Sequence, residues 1–140
     1  MKWQDFIDER KVKRTNKDVS KIKSLIKMSD NLIISLSRMK IDYINSSMIL
    51  SNYYEALRQI VESISILHGF IVYSHEAFTS FLSEVLHDNI LAKKFDRFRK
   101  MRNGVNYYGK NIDLETAKDA ADEIPLLIKR LKDSYLDELI

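Results

Sequence analysis

The sequence predicts an all-α protein, an up-and-down bundle of four or five helices, and three observations carry that prediction. Glycine and proline are scarce, three and one in 140 residues, so few turn signals punctuate the chain. Apolar residues make up 45% of it, enough to bury a core in a single domain of this length. Those residues recur at intervals of three and four over stretches far longer than a strand.

Each element is read in turn from that periodicity. Residues 1–16 hold Trp3, Phe6 and Ile7 ahead of a basic stretch, and form either a short helix docked on the body or a frayed arm. The bundle itself is expected over residues 17–140. Val19, Ile22, Ile26, Ile33 and Leu36 mark a helix ending near Lys40, the first half of a helical hairpin. From Ser46 to about Ile71, the series Ile49, Tyr53, Ala56, Leu57, Ile60, Ile64, Leu67 and Ile71 marks one face, broadened by Leu50, Tyr54 and Val61. This helix should be central and largely buried, with Gly69 in its stop region.

Ser74 reads as the N-cap of a shorter helix whose Phe78, Phe81, Leu82 and Val85 point inward. After Asp88-Asn89, a further helix places Leu91, Phe95, Phe98 and Val105 on its apolar side, with Asn103-Gly104 as a break. Asp113 then caps a last helix carrying Leu114, Ala117, Ala121, Ile124, Ile128, Leu131 and Tyr135. Pro125 falls inside it, which predicts a kink or a restart near Asp122 to Ile124.

Composition narrows the function classes. With no cysteine, a disulfide framework, a thiolate zinc site and a cysteine nucleophile are excluded. The charged N-terminus lacks the apolar stretch of a signal peptide, and no apolar run approaches the roughly 18 residues of a membrane span. A cytoplasmic protein with no membrane association is expected. The net charge of +3 is modest but uneven. Between Asp88 and Asn111, seven basic residues face two acidic ones, whereas from Ile112 onward four basic residues face eight acidic ones. Such polarity can steer an anion to one end of the molecule, and it is equally what an ordinary solvated helix face looks like.

Residues three and four apart on a helix are neighbours, so Arg99, Arg102, Asn103 and Asn106 share one face. Guanidinium forks match phosphate oxygens, which makes this face a candidate site for a phosphodiester or nucleotide. Its alternative is a set of surface arginines bonded to the acidic last helix. Tyr107 and Tyr108 follow directly and could stack on a base or cover the end of the bundle. Tyr53-Tyr54 reads as packing, embedded as it is in the most apolar helix. His68, His75 and His87 are spaced too widely for a zinc site, with the Gly69 to Ser74 turn between the first two, and are read as satisfied or exposed. No metal or cofactor is expected. The chain has no glycine-rich phosphate loop and no nucleophile elbow.

Tyr53-Tyr54-Glu55-Ala56, the Gly69 turn leading into Ser74-His75-Glu76-Ala77-Phe78, and Arg102-Asn103 before Tyr107-Tyr108-Gly109 together resemble a HEPN domain over about Lys17 to Leu136. The resemblance implies a four- or five-helix bundle, commonly a homodimer, and often a ribonuclease or the partner of a minimal nucleotidyltransferase in a toxin–antitoxin pair. It also implies a motif of arginine, a polar residue and a histidine a few positions on. Arg102 and Asn103 match the first two positions, but Tyr107 stands where the histidine would fall, and no histidine follows downstream. In the cleavage that the family performs, the RNA 2′-hydroxyl attacks its own phosphate while the histidine moves protons. A phenol with a pKa near 10 is only ~0.1% ionised at neutral pH and replaces that histidine poorly.

The reading that follows is a catalytically weak or inactive HEPN-like protein that binds RNA, a nucleotide or a nucleotidyltransferase partner. Arg99, Arg102, Asn103, Asn106, Tyr107 and Tyr108 form its ligand face, and Arg102, Asn103 and Tyr107 its degenerate catalytic motif. Two alternatives stand beside it: a metal-independent ribonuclease toxin, and a purely structural dimeric interaction domain. The apolar surface of the central helix makes a homodimer physically reasonable.

Overall fold

A computed structural model describes the backbone of all 140 residues and every side chain except that of Tyr107. The described residues form six α-helices and one small antiparallel ribbon: α1 (Trp3–Asp8), β1 (Val12–Arg14), α2 (Val19–Ser37), α3 (Ser46–Leu67), β2 (Phe70–Val72), α4 (His75–Ser80), α5 (Asn89–Tyr108) and α6 (Leu114–Leu131). A π-helical turn continues α4 over Phe81–Val85, and another continues α6 over Lys132–Leu136. The fold is therefore mostly α, and among the described residues no helix is long and apolar enough to cross a membrane.

α3 is the axis. It packs against α2, α5 and α6, and its residues Ile49, Leu50, Ala56, Leu57, Ile60, Val61 and Ile64 are fully buried. Its apolar surface is thus consumed within the chain, leaving Met48 as its exposed large hydrophobic residue. The apolar face expected to serve a homodimer is not open on this helix. Where α2 meets α3 the approach is close enough that buried Ser29 donates to the Ala56 carbonyl at 2.8 Å.

Aspartates start three of the helices, each accepting a backbone N–H as its side chain replaces a missing helical acceptor: Asp18 from Lys21 at 3.0 Å, Asp88 from Leu91 at 3.1 Å and Asp113 from Thr116 at 2.7 Å. Ser74 occupies the N-cap position of α4 without a side-chain capping bond.

Three expectations are corrected. α3 ends at Leu67, and Ile71 lies in β2, which pairs with β1 in the register Val12↔Val72, Lys13↔Ile71 and Arg14↔Phe70. Gly69 makes the change possible by adopting φ +87°, a conformation side-chain-bearing residues avoid. Asn103-Gly104 does not break α5, which runs through to a left-handed terminus at Gly109. There the Lys110 N–H folds back onto the Gly104 carbonyl at 3.1 Å, so this glycine marks the landing point of the turn. α6 likewise passes through Pro125 without a restart. Burial of Ala117, Ala120, Ile124, Ile128 and Leu131 outweighs the one hydrogen bond that proline forfeits.

At the N-terminus, Trp3 and Phe6 are buried, and the Trp3 ring meets Phe70 edge-on at 5.2 Å and Phe81 at 5.7 Å. Trp3 N–H donates to the Glu84 carboxylate at 2.7 Å, and the Ser80 hydroxyl donates to the Met1 carbonyl at 3.0 Å. Short helix and ribbon together clamp the segment that leads into α4.

Candidate functional site

The basic face of α5 is divided by its partners. Arg99 turns back along the helix to Asp96, with Nε and Nη2 at 3.0 and 2.8 Å from Oδ1. Asp96 also takes Lys100 at 3.0 Å and the Thr79 hydroxyl at 3.1 Å. Burial pushes that carboxyl up, yet the hydrogen bonds from Lys100, Arg99 and Thr79 outweigh it and hold it below the usual carboxylate range. The two forks expected to act as a pair are therefore separated, and Arg99 faces a carboxylate. Arg97, not Arg99 or Arg102, reaches the acidic last helix, meeting Glu123 at 2.5 Å. Asn103 is half-buried, Asn106 is exposed and Tyr108 is 76% exposed. The role expected of Tyr107 falls on a side chain outside the described residues.

Arg102 turns the other way, into the junction of α3, α4 and α5. Its Nη2 lies 2.6 Å from Nδ1 of His75, the first residue of α4. Its guanidinium carbon sits 5.1 Å from the centre of the Tyr54 ring, in cation–π range. The Tyr54 hydroxyl is 2.9 Å from the same Nδ1. A histidine does stand beside the arginine, but it comes from 27 positions upstream.

The chemistry of these partners fixes the imidazole. A guanidinium has N–H donors and no acceptor, so Nδ1 must present its lone pair, and His75 is neutral with its proton on Nε2. Its environment agrees: burial first, then the positive charges of Arg102 and Arg58, lower the His75 pKa from 6.5 to about 4. Tyr54 is perturbed in the opposite sense. Burial pushes its phenol up to about 12, against the pull of Arg102, so at neutral pH it is a donor.

Arg58 closes the constellation from α3. Its guanidinium bridges Glu55, at 2.5 and 3.0 Å, and Glu62, at 2.6 Å. Burial alone would lower its pKa, but the two carboxylates reverse that and raise it. This row of Glu55, Arg58 and Glu62 joins the site to the solvent face of α3.

Sequence reasoning placed Arg102 at the site and missed His75, Tyr54 and Arg58. The one signal available was the acid–base–acid row at i, i+3 and i+7 on an otherwise uncharged helix, which marks where its buried surface meets a polar junction. Among the described residues no group of three or more His, Asp or Glu side chains could hold a metal ion. No known family model, curated protein or solved structure matches the chain.

Proposed function

We propose that this chain is a HEPN-like helical protein that binds a phosphate-bearing ligand, RNA or a nucleotide, through Arg102, and that it is at most a weak catalyst. The observation that carries the reading is the 2.6 Å contact between Arg102 Nη2 and His75 Nδ1. It supplies a cation beside an Nε2–H, donors suited to phosphate oxygens. It also explains why catalysis is poor. The lone pair a general base needs is already engaged, and with a pKa of about 4 the imidazolium a general acid needs is only ~0.1% populated at neutral pH.

A second reading, a metal-independent ribonuclease, is favoured by the same imidazole. If substrate phosphate draws Arg102 away and the Tyr54 hydroxyl turns from Nδ1, the imidazole is freed to take the proton of the 2′-hydroxyl. The 2′-oxygen then bonds to phosphorus and the 5′-oxygen departs with a proton, leaving a 2′,3′-cyclic phosphate and a 5′-hydroxyl.

Metal-free incubation of the protein with mixed RNA, alongside Arg102→Ala and His75→Ala prepared identically, separates the two. The proposal expects salt-sensitive RNA or nucleotide binding that Arg102→Ala abolishes, with no cleavage. Cyclic-phosphate ends made by the wild type alone would establish the ribonuclease reading instead. No binding and no cleavage would leave the constellation a structural seal between α3, α4 and α5. Homodimerisation and capture of a nucleotidyltransferase partner belong to the same family-based reading, and sedimentation and co-expression test them.

A further inference from the structure

The basic stretch that follows α1 takes no part in the site described above. Arg10, Lys11, Lys13, Arg14 and Lys17 fall within eight residues, and all five are exposed. Glu9, 3.3 Å from Lys11, is the one carboxylate that pairs with any of them among the described residues. The neighbouring acids are engaged elsewhere, Asp8 accepting from the Gln4 side chain and Asp18 capping α2. Arg14 is occupied in part, its guanidinium carbon lying 5.6 Å from the centre of the Phe70 ring. Exposed cations so thinly matched by carboxylates attract a polyanion.

The ribbon arranges this charge around an aromatic ring. Neighbouring residues of a strand point to opposite faces, and the buried, directly opposed pair Val12 and Val72 marks the inner one. Lys13 and its partner Ile71 take the outer face. On the other side of the Val12 and Val72 pair, the Tyr73 N–H donates to the Lys11 carbonyl at 2.8 Å. Both of these side chains are exposed, Tyr73 to 63%. Tyr73 thus has Lys11 across from it and Lys13 on the diagonal, a separation that long side chains span. A ring open to solvent and flanked by lysines offers what a single-stranded polynucleotide requires: a face on which a base stacks, and cations beside it for the backbone.

Covalent geometry puts this platform next to the Arg102 site. Tyr73 precedes His75 by two residues, a length of chain that spans about 7 Å at most, and His75 Nδ1 is 2.6 Å from Arg102. We infer that the outer face of the ribbon is the track of an RNA strand whose phosphate Arg102 engages, with a neighbouring base stacked on Tyr73 and adjoining phosphates held by Lys11 and Lys13. The inference rests on the phosphate-binding reading and selects within it: the preferred ligand is a single-stranded RNA several nucleotides long, over a mononucleotide.

The test is a calorimetric titration of the full chain with hexauridylate and with UMP, paired with NMR spectra of the tyrosine rings. Hexauridylate should bind at least about tenfold more tightly than UMP and shift the Tyr73 ring signals. Tyr73→Ala should lower the hexauridylate affinity roughly five- to 150-fold, as loss of one base–aromatic stack does. Tyr73→Phe should retain that affinity, and neither variant should change the binding of UMP. Lys11→Gln combined with Lys13→Gln should reduce the slope of log affinity against log salt by about 1.4, the share of two phosphate contacts on a single strand. These side chains are exposed, and circular dichroism checks that the helices are kept. Hexauridylate binding no tighter than UMP, or indifferent to Tyr73→Ala and to the lysine pair, would overturn the track and leave the phosphate reading intact. Hexauridylate binding that needs the ribbon but is unchanged in Arg102→Ala would overturn the join between track and site. Failure of both ligands to bind would remove the phosphate reading and this inference with it.

Discussion

Replacing Arg102 by methionine keeps the length of the side chain and removes its charge and donors, so it isolates what the guanidinium does to His75. In the wild type the imidazole titrates at about 4 because it is buried and faces Arg102 and Arg58. Burial is the larger cause and survives the substitution. The His75 pKa should therefore rise by roughly one unit, and it should stop short of 6.5. The linkage has a definite sign. With the folded pKa below the unfolded value, the unfolded chain binds the extra proton between pH 6.5 and 4. The contribution of His75 is thus fully present above pH 6.5 and is lost as pH falls toward 4. Between pH 7 and 5 the loss is about 2 kcal/mol as an upper bound, and nearer ~1 kcal/mol once solvent screening at a half-exposed ring is allowed for. Nitrogen chemical shifts of the ring report its tautomer and pKa directly. Denaturant midpoints at pH 7 and 5, compared with His75→Gln, report the linkage. A wild-type ring that titrates at 6.5, carries its proton on Nδ1, or ignores Arg102→Met would refute the reasoning.

Four further outcomes follow from the packing. Arg58→Met leaves Glu55 and Glu62 without their shared cation; since the arginine side chain is only 16% exposed, denaturation should show a loss of about 1–2 kcal/mol, between surface and buried ion pairs. Phe6→Ala should cost about 3–5 kcal/mol, because the ring is fully buried, and limited proteolysis should then cut within the first sixteen residues. Gly69→Ala should cost about 1–2 kcal/mol by the same denaturation assay, from strain at positive φ; a Cβ there would meet the Thr15 carbonyl at an ordinary 3.5 Å. Lys13→Pro removes an N–H from the ribbon and should speed amide exchange over residues 71–73, with the His75 titration moving upward.

The parts legible from sequence are those set by spacing within one helix. The apolar runs of α3, α5 and α6, the Asp113 cap and the Gly69 stop are all local, and their physics is complete within a few residues. β1 and β2 were not legible, since three residues offer no useful alternation and their partners lie 56 to 60 positions apart. The site divides the same way. Arg99, Arg102, Asn103 and Asn106 share a face by helical geometry, but the engagement of Arg99 by Asp96 depended on weighing an i, i+3 pair against an external anion. His75 and Tyr54 reach Arg102 only because α3, α4 and α5 converge, and no periodicity within a single element encodes that.

That convergence depends on the most irregular part of the chain. α4 has six residues and a cap position that makes no side-chain bond, so it has little intrinsic means of holding its first residue in place. Its position is imposed from outside. Thr15 N–H donates to the Gly69 carbonyl at 2.8 Å and Tyr73 N–H to the Lys11 carbonyl at 2.8 Å. Antiparallel pairing alternates, so these two bonds make Lys13 and Ile71 the hydrogen-bonded pair between them. The ribbon is thereby bonded at its start, centre and end, and it delivers the chain to Ser74 with its direction fixed. Beyond α4, the Trp3 bond to Glu84 and the packing of Trp3 on Phe81 anchor the π-helical turn. His75 is held between these two anchorages, both supplied by the first sixteen residues. The histidine that meets Arg102 is thus positioned by the N-terminal segment.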